Sequence, residues 1–348
     1  AEQSADFAGF LCPECGGNLE ITYDYAAAAE ELAPGAMKGR DLFRWQPLLP
    51  VRPNLMPFPL RIGGTPLYPA SRLGRQAGIK NLYLKDESGN PSASLKDRAS
   101  AIAVCRAMES GAQVVAAAST GNAGSSLACL SAALGLEAVV FVPASAPRAK
   151  LTQLLSYGAR VLAVKGSYDD AFDLCLAACD EFGWFNRSNG INPFTREGKK
   201  TCALEIWEDL GREVPDRVVV PTGDGNILSG IWKGFRDLES AGLIDRLPKI
   251  DCAQSEGSAA ICRTVRRLRE TPGVRPDWST VSIETVQAAT VADSISVDLP
   301  RDGLAAVYAV IESGGEAVTV PDEKIIEAVG EMARLSGVFP EPAAATPW

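Results

Sequence analysis

Strands and helices alternate at a regular spacing through the middle of this chain, and that alternation restricts its fold more than any other feature. Apolar runs at 114–118, 138–142 and 160–164 predict strands, and the stretches 98–110, 125–134, 147–157 and 168–182 predict helices around them. Strands separated by helices at this distance pair in parallel through right-handed crossovers. The pattern resumes after Asn192, with helices predicted over 197–210 and 227–240 and strands over 217–221 and 249–254. Residues 270–282 read as loop, and helices at 304–312 and 322–336 flank a short strand at 316–320. An α/β fold on parallel sheet is the expectation, and 348 residues are enough for one large unit or two domains.

Upstream, the Ala-rich stretch 26–38 predicts a helix. Residues 41–59 are rich in Pro, Trp and Leu and read as an extended wrapping segment, because proline bars a regular helix. Gly63-Gly64-Thr65-Pro66-Leu67 is a tight turn into a short strand, and 82–87 is a further strand. Cys12-Pro13-Glu14-Cys15-Gly16-Gly17, followed by alternating Leu19, Ile21 and Tyr23, has the form of half a zinc ribbon. No second C-x-x-C follows nearby, so a hairpin that keeps ribbon geometry without metal is expected.

The chain has no histidine, which removes Ser-His-Asp, Cys-His and His-ligated metal chemistry together. Acid–base work falls to Lys, Asp, Glu, Tyr or a cofactor. A net charge of -9 argues against nucleic acid as a partner. No long uncharged apolar run predicts a membrane span, and the acidic N-terminus lacks the parts of a signal peptide. Nine scattered cysteines, including Cys105, Cys129, Cys175 and Cys179 inside helical patterns, point to buried thiols in a reducing cytoplasm.

Three stretches carry chemistry. In Asn90-Pro91-Ser92-Ala93-Ser94-Leu95-Lys96-Asp97-Arg98 a turn leads to one lysine at the start of a helical run, with Ser92 or Ser94 as the expected N-cap. The positive end of a helix disfavours a second cation, and an amine that loses its proton near neutrality attacks a carbonyl to form a Schiff base. In Ser119-Thr120-Gly121-Asn122 small residues at a helix start expose backbone N–H groups to an anion such as a carboxylate. In Gly223-Asp224-Gly225-Asn226 glycines let backbone N–H groups approach a phosphate, again at a helix start. Neither turn has the G-x-G-x-x-G or P-loop spacing of a nucleotide site. Each alone is ordinary turn chemistry. Together with Lys96 they fit pyridoxal phosphate carrying an amino acid: an aldehyde for the lysine, a phosphate for one turn, a carboxylate for the other.

At these residues the chain resembles the threonine synthases and the wider tryptophan-synthase-β-like family of pyridoxal-phosphate enzymes. The matching pieces are Lys85-Asp86-Glu87, the segment 90–98, the turn 119–123, Gly166-Ser167-Tyr168-Asp169-Asp170-Ala171, Asn192-Pro193-Phe194, Glu197-Gly198-Lys199-Lys200-Thr201, 221–226, Gly230-Ile231-Trp232-Lys233-Gly234-Phe235, Ser313-Gly314-Gly315 and 337–342. They run in family order from about Gly63 to Pro342, and the single C-x-x-C-G-G before Tyr23-Asp24 resembles the end of the family's N-terminal ribbon. The resemblance implies fold type II: two open, twisted, mostly parallel sheets flanked by helices, with a small ribbon-like N-terminal extension. It implies an extension over 1–60, a large cofactor-binding domain from 61–95 and 185–348, and a small carboxylate-binding domain over 96–184.

The resemblance also implies roles. Lys96 would hold the cofactor as an imine and later shuttle protons. Asn122 would bond the pyridine 3′-oxygen, and Gly223, Asp224, Gly225 and Asn226 would bind the phosphate through main-chain donors. Ser94, Ser119, Thr120, Ala123, Asn192 and Thr195 are the substrate-side candidates, and no metal is implied.

Three departures stand out. The loop 223–226 is one residue shorter than the family's and acidic. Thr195 stands where threonine synthases carry an arginine that helps bind the substrate phosphate; Arg196 comes one later, about 100° around a helix. The family's Ser or Thr facing the pyridine nitrogen is not visible before Trp348.

The implied function is a lyase or synthase acting at the β- or γ-carbon of a small amino acid such as O-phosphohomoserine, giving threonine. The alternatives are a β-replacement synthase or a serine/threonine dehydratase on the same scaffold, and, in a different class, a non-catalytic amino-acid-binding relative. A cytoplasmic homodimer is expected by the same analogy.

Overall fold

The computed structural model describes residues 2–4, 7, 9–52, 58–270 and 275–348. Helix α1 (Tyr25–Glu31) is capped by Asp24, whose Oδ1 accepts from Ala27 N at 3.0 Å. It ends at Glu31 and not at residue 38, because Pro34 and Gly35 cannot extend it. The wrapping segment contains 3₁₀ turns over Leu42–Leu48, kinked at Trp45 with Pro47 inside, and its residues 53–57 lie outside the described residues. Strand β1 (Leu67–Pro69), helix α2 (Ser71–Ala77) and strand β2 (Tyr83–Lys85) follow.

The alternating series then appears as read: α3 (Lys96–Glu109), β3 (Val114–Ala118), α4 (Asn122–Leu134), β4 (Glu137–Pro143), α5 (Arg148–Ser156), β5 (Arg160–Val164) and α6 (Tyr168–Phe182). After β6 (Phe185–Asn186) come α7 (Phe194–Asp209), β7 (Arg217–Pro221), α8 (Asn226–Ser240), β8 (Lys249–Ser255), α9 (Ala260–Arg269), α10 (Gly303–Glu312), β9 (Ala317–Val320), α11 (Asp322–Ser336) and α12 (Pro342–Ala345). The pattern did not reveal α2, β6, α9 or α12. In α9 the buried Ile261, Cys262 and Val265 have helical spacing, but arginines at 263, 266, 267 and 269 dilute the apolar signal. Of the expected loop 270–282, residues 271–274 lie outside the described residues, and 275–282 form no helix or strand.

By contacts the chain divides into two compact units, residues 1–65 with 87–201 and residues 66–86 with 202–348. Residues 1–60, 87–95 and 185–201 thus cluster with 96–184.

The first unit contains a parallel sheet in the order β5-β4-β3-β6. Ala116, Ala118, Val139 and Phe141 pack against Ala171, Phe172, Cys175 and Cys179 of α6. The alternate residues Val115, Ala117, Val140 and Val142 are buried as well, so both faces are covered, as an all-parallel sheet requires. Ser167 and Asp170 form a reciprocal capping box that starts α6.

The second unit contains the parallel sheet β7-β8-β9 and the antiparallel pair β1-β2. Ala70 and Leu73 pack with Ala328 and Met332 of α11 and with Ala345. Lys85 is anchored by Glu205 at 2.9 Å and Asp209 at 3.0 Å.

Candidate active site

Lys96 is the first residue of α3 and is half-buried. The cap is Leu95 rather than Ser92 or Ser94, and helix geometry begins at Lys96, two residues earlier than the pattern suggested. Both serines still serve the helix start. Ser94 Oγ accepts from Lys96 N at 3.2 Å, while Ser92 donates to Asp97 from its backbone N (2.6 Å) and its hydroxyl (2.5 Å). Asp97 and Arg98 are completely buried. Arg98 reaches Glu87, Thr65 and Thr201, and Asn90 ties Gly63 to Glu87.

The lysine therefore stands on a platform of buried, mutually satisfied polar groups. That platform was not legible beforehand, because charged residues are by default surface residues. Nor was Ala93, which holds the left-handed φ of 59° three residues before Lys96.

The turn 119–123 crosses from β3 into α4, whose cap is Gly121, and no side chain caps it. Ser119 Oγ accepts from Gly121 N at 3.3 Å. A Cβ on Gly124 would lie 2.5 Å from Ser119 O, so glycine there lets the first turn close on the strand end. A Cβ on Gly121 would meet open space. Ser119, Thr120, Asn122 and Ala123 are half-buried around that uncapped helix start, an arrangement that suits a carboxylate. Ser100 Oγ receives hydrogen bonds from Ser126 of α4 (2.8 Å) and Arg187 (3.0 Å), joining α3, α4 and the residue after β6.

Asn192 precedes α7 with its amide engaged at both ends. Its Nδ2 donates to Asn186 O at 2.7 Å, and its Oδ1 accepts from Phe194 N at 2.9 Å. Thr195 is buried and its hydroxyl donates to Asn192 O at 2.8 Å. Arg196 follows in the same first turn. Further along α7, Glu197 accepts from Tyr23 Oη at 2.6 Å and from Lys200 Nζ at 2.5 Å. Ser94, Lys96, Ser119, Thr120, Asn122, Ala123, Asn192 and Thr195 all belong to the first unit.

Gly223, Asp224, Gly225 and Asn226 belong to the second unit, between β7 and α8. Gly225 is the helix cap at φ 94°, and no side chain caps α8. A Cβ at Gly223 would lie 2.7 Å from Ile295 Cα, and one at Gly225 would lie 2.7 Å from Asp302 O. Only glycine fits at either position, so the loop is pressed against neighbouring backbone at the start of α8. The Asp224 carboxylate accepts from Arg301 N at 2.8 Å.

All nine cysteines are free thiols, and only Cys15 is exposed. Burial and nearby Glu109 push the Cys105 thiol up to about 12, so it stays protonated. Backbone N–H groups of Cys15 and Glu14 pull the Cys12 thiol below its ordinary value. Cys12 N donates to Gly17 O at 2.8 Å, the tight hairpin that the C-x-x-C-G-G spacing predicts. Among the described residues no three His, Cys, Asp or Glu side chains gather as a metal site, and no helix is long and apolar enough to cross a membrane.

Residues 59–347 match the family described as pyridoxal-phosphate dependent enzyme. The chain is 40% identical to a threonine synthase of Methanocaldococcus jannaschii, over 96% of this chain and 80% of that one. It is 37% identical to a threonine synthase of Methanosarcina acetivorans, over 99% of this chain and 82% of that one. Among solved structures, maize serine racemase superposes with a TM-score of 0.66 at 19% identity, covering 82% of this chain and 81% of the other. The processed form of a threonine deaminase from Solanum lycopersicum superposes at 0.64 with 20% identity, covering 81% of this chain and 76% of the other. At those identities the structural matches bear on fold alone.

Proposed function

From the premise that this chain belongs to the pyridoxal-phosphate dependent enzymes, we propose that Lys96 is the residue that holds the cofactor and moves protons in a lyase reaction of the threonine synthase type. The observation that carries this reading is the seating of Lys96 as the first residue of α3, fixed by the buried Asp97 and Arg98. Two uncapped helix starts fit the cofactor's phosphate and the substrate's carboxylate, at α8 and α4 respectively.

Pyridoxal phosphate supplies an electron sink for the pair left at the substrate Cα. The chain's own residues do the rest. Lys96 would hold the cofactor through its amine and, once that amine is free, would take the proton from the substrate Cα and return protons along the substrate. The α4 start, with Ser119, Thr120 and Ala123, receives the carboxylate and fixes which Cα bond faces the amine. Asn122 would hold the cofactor ring through its 3′-oxygen. Main-chain donors of Gly223, Asp224, Gly225 and Asn226 would hold the phosphate. Ser94, Asn192 and Thr195 complete the substrate side. On this reading residues 61–95 and 185–348 form the cofactor-binding domain and 96–184 the carboxylate-binding one.

The substrate proposed is a small amino acid bearing a phosphate leaving group, O-phosphohomoserine, hydrolysed to threonine and inorganic phosphate. The proposal extends to a homodimer in a reducing cytoplasm, which suits nine free thiols of which eight are buried.

The test is spectroscopic. The purified protein should absorb at the edge of the visible, borohydride should fix that chromophore on the peptide containing Lys96, and O-phosphohomoserine should release phosphate. O-phosphoserine, threonine and serine serve as competing substrates, and turnover of one of them alone assigns the dehydratase or β-replacement reading. A colourless protein, indifferent to Lys96→Ala, ends the proposal.

A further inference from the structure

Asp302 occupies the cap position of α10, where an aspartate ordinarily accepts from its own helix. It makes no such bond. The residue is only 1% exposed, and its carboxylate is turned to another helix: Oδ2 accepts from Asn226 Nδ2 at 2.9 Å and from Ser229 Oγ at 2.7 Å, both in the first turn of α8. The main chain beside it grips the same loop. Arg301 N donates to Asp224 Oδ1 at 2.8 Å, and Asp302 N donates to Asp224 O at 3.1 Å. Gly225, at φ 94°, passes so close to Asp302 O that a Cβ would approach it to 2.7 Å. Four hydrogen bonds from two consecutive residues thus span the loop 224–226 and the first turn behind it.

Burying a carboxylate is expensive unless it is fully hydrogen-bonded, and forgoing a helix cap adds to the cost. The arrangement is rational if loop geometry is what matters. An anion cup built from backbone N–H groups works only when those groups converge, and Asn226 is the residue whose amide opens α8. We propose that Asp302 is a positioning residue: it fixes the Asn226 side chain, and with Arg301 sets the loop 223–226 so that the α8 amides converge on the cofactor's phosphate. The Asp224 carboxylate accepts from the Arg301 N–H, which ties the acidic side chain of the loop to the same segment. This inference rests on the reading that α8 holds the phosphate.

The experiment compares pyridoxal 5′-phosphate with pyridoxal, which lacks the phosphate, binding to the full chain after its cofactor has been removed. The ratio of the two dissociation constants isolates the phosphate's contribution. Asp302→Asn should cut that ratio ten-fold or more and leave pyridoxal affinity within two-fold. Asn226→Ser should do the same, and in that background Asp302→Asn should add nothing, because one acts through the other.

Should Asp302→Asn fail to fold by circular dichroism, Asn226→Ser reads the same contact from its other end, and an unchanged ratio there overturns the inference. Equal losses for both ligands, or additive losses in the double variant, also overturn it. Gly223→Ala separates the two levels: if it lowers the ratio and Asp302→Asn does not, α8 binds the phosphate but Asp302 does not position it. If the unmodified chain shows no preference for the phosphorylated ligand, the phosphate reading fails and the inference with it.

Discussion

Arg98 holds Glu87 through two parallel hydrogen bonds, 2.6 Å from Nε to Oε2 and 2.8 Å from Nη2 to Oε1. The guanidinium is completely buried and the carboxylate nearly so. Arg98 also donates to Thr65 at 3.0 Å and Thr201 at 2.9 Å, and Asn90 donates to Glu87. Such a fork cannot be reproduced by an ammonium group. Because Arg98 lies two residues from Lys96, the geometry of the pair is transmitted to Lys96 through the first turn of α3.

Glu87→Gln leaves a buried guanidinium without its counter-ion and should cost about 3–5 kcal/mol in urea unfolding. Arg98→Lys should be comparably harmful despite keeping the charge. If either variant unfolds at the wild-type urea midpoint, the platform does not hold the lysine segment.

Two glycines should respond oppositely to alanine. A Cβ at Gly198 would lie 2.0 Å from Arg98 O, so Gly198→Ala must push α7 off the start of α3 and should destabilise by upwards of about 3 kcal/mol. Gly121 faces open space with an ordinary φ of -109°, so Gly121→Ala should leave stability within about 0.5 kcal/mol. It should instead raise KM for the amino acid several-fold with kcat less affected, because the methyl group intrudes on the place proposed for the carboxylate. An unchanged KM removes the carboxylate from the α4 start.

Ala93 stores a small strain. An L-residue at φ 59° costs about 1–2 kcal/mol, against the entropy that glycine loses on folding, about 0.5–1 kcal/mol. Ala93→Gly should therefore stabilise the protein by up to about 1 kcal/mol in thermal unfolding. A destabilised variant shows that the methyl group is needed in the lysine segment.

The alternation of strands and helices was legible because parallel sheets need continuous apolar strands, and β3, β5, β7, α6 and α11 have the predicted limits. Lys96 and the two glycine turns were legible because helix starts and tight turns demand particular residues. Helix α3 begins at Lys96 with Leu95 as cap because Ser92 is engaged by Asp97, a contact five residues away that no cap rule anticipates. Asp302 was invisible for the same reason: its partners, Asn226 and Ser229, lie more than seventy residues away in sequence. Distant polar pairing leaves no periodic trace, whereas apolar burial on a helix or strand does.

Asp322, in the first turn of α11, gives a pH signature. Burial pushes its carboxyl up, but hydrogen bonds from Thr290 Oγ1 (2.5 Å), Val291 N (2.8 Å) and Ser255 Oγ (2.9 Å) outweigh it and hold the group below its ordinary value. A carboxyl depressed in the folded state stabilises above its unfolded value, about 3.9, and that contribution is lost as pH falls through the folded value. Asp322→Asn should thus cost about 1–2 kcal/mol at pH 7, where the charged acceptor is fully present. The gap between wild type and variant should narrow as the pH drops below about 4 and close beneath the folded value. Urea unfolding of both proteins across that range measures it, and a gap that stays constant with pH would mean that the charge on Asp322 contributes nothing to the clasp between residues 255, 290–291 and α11.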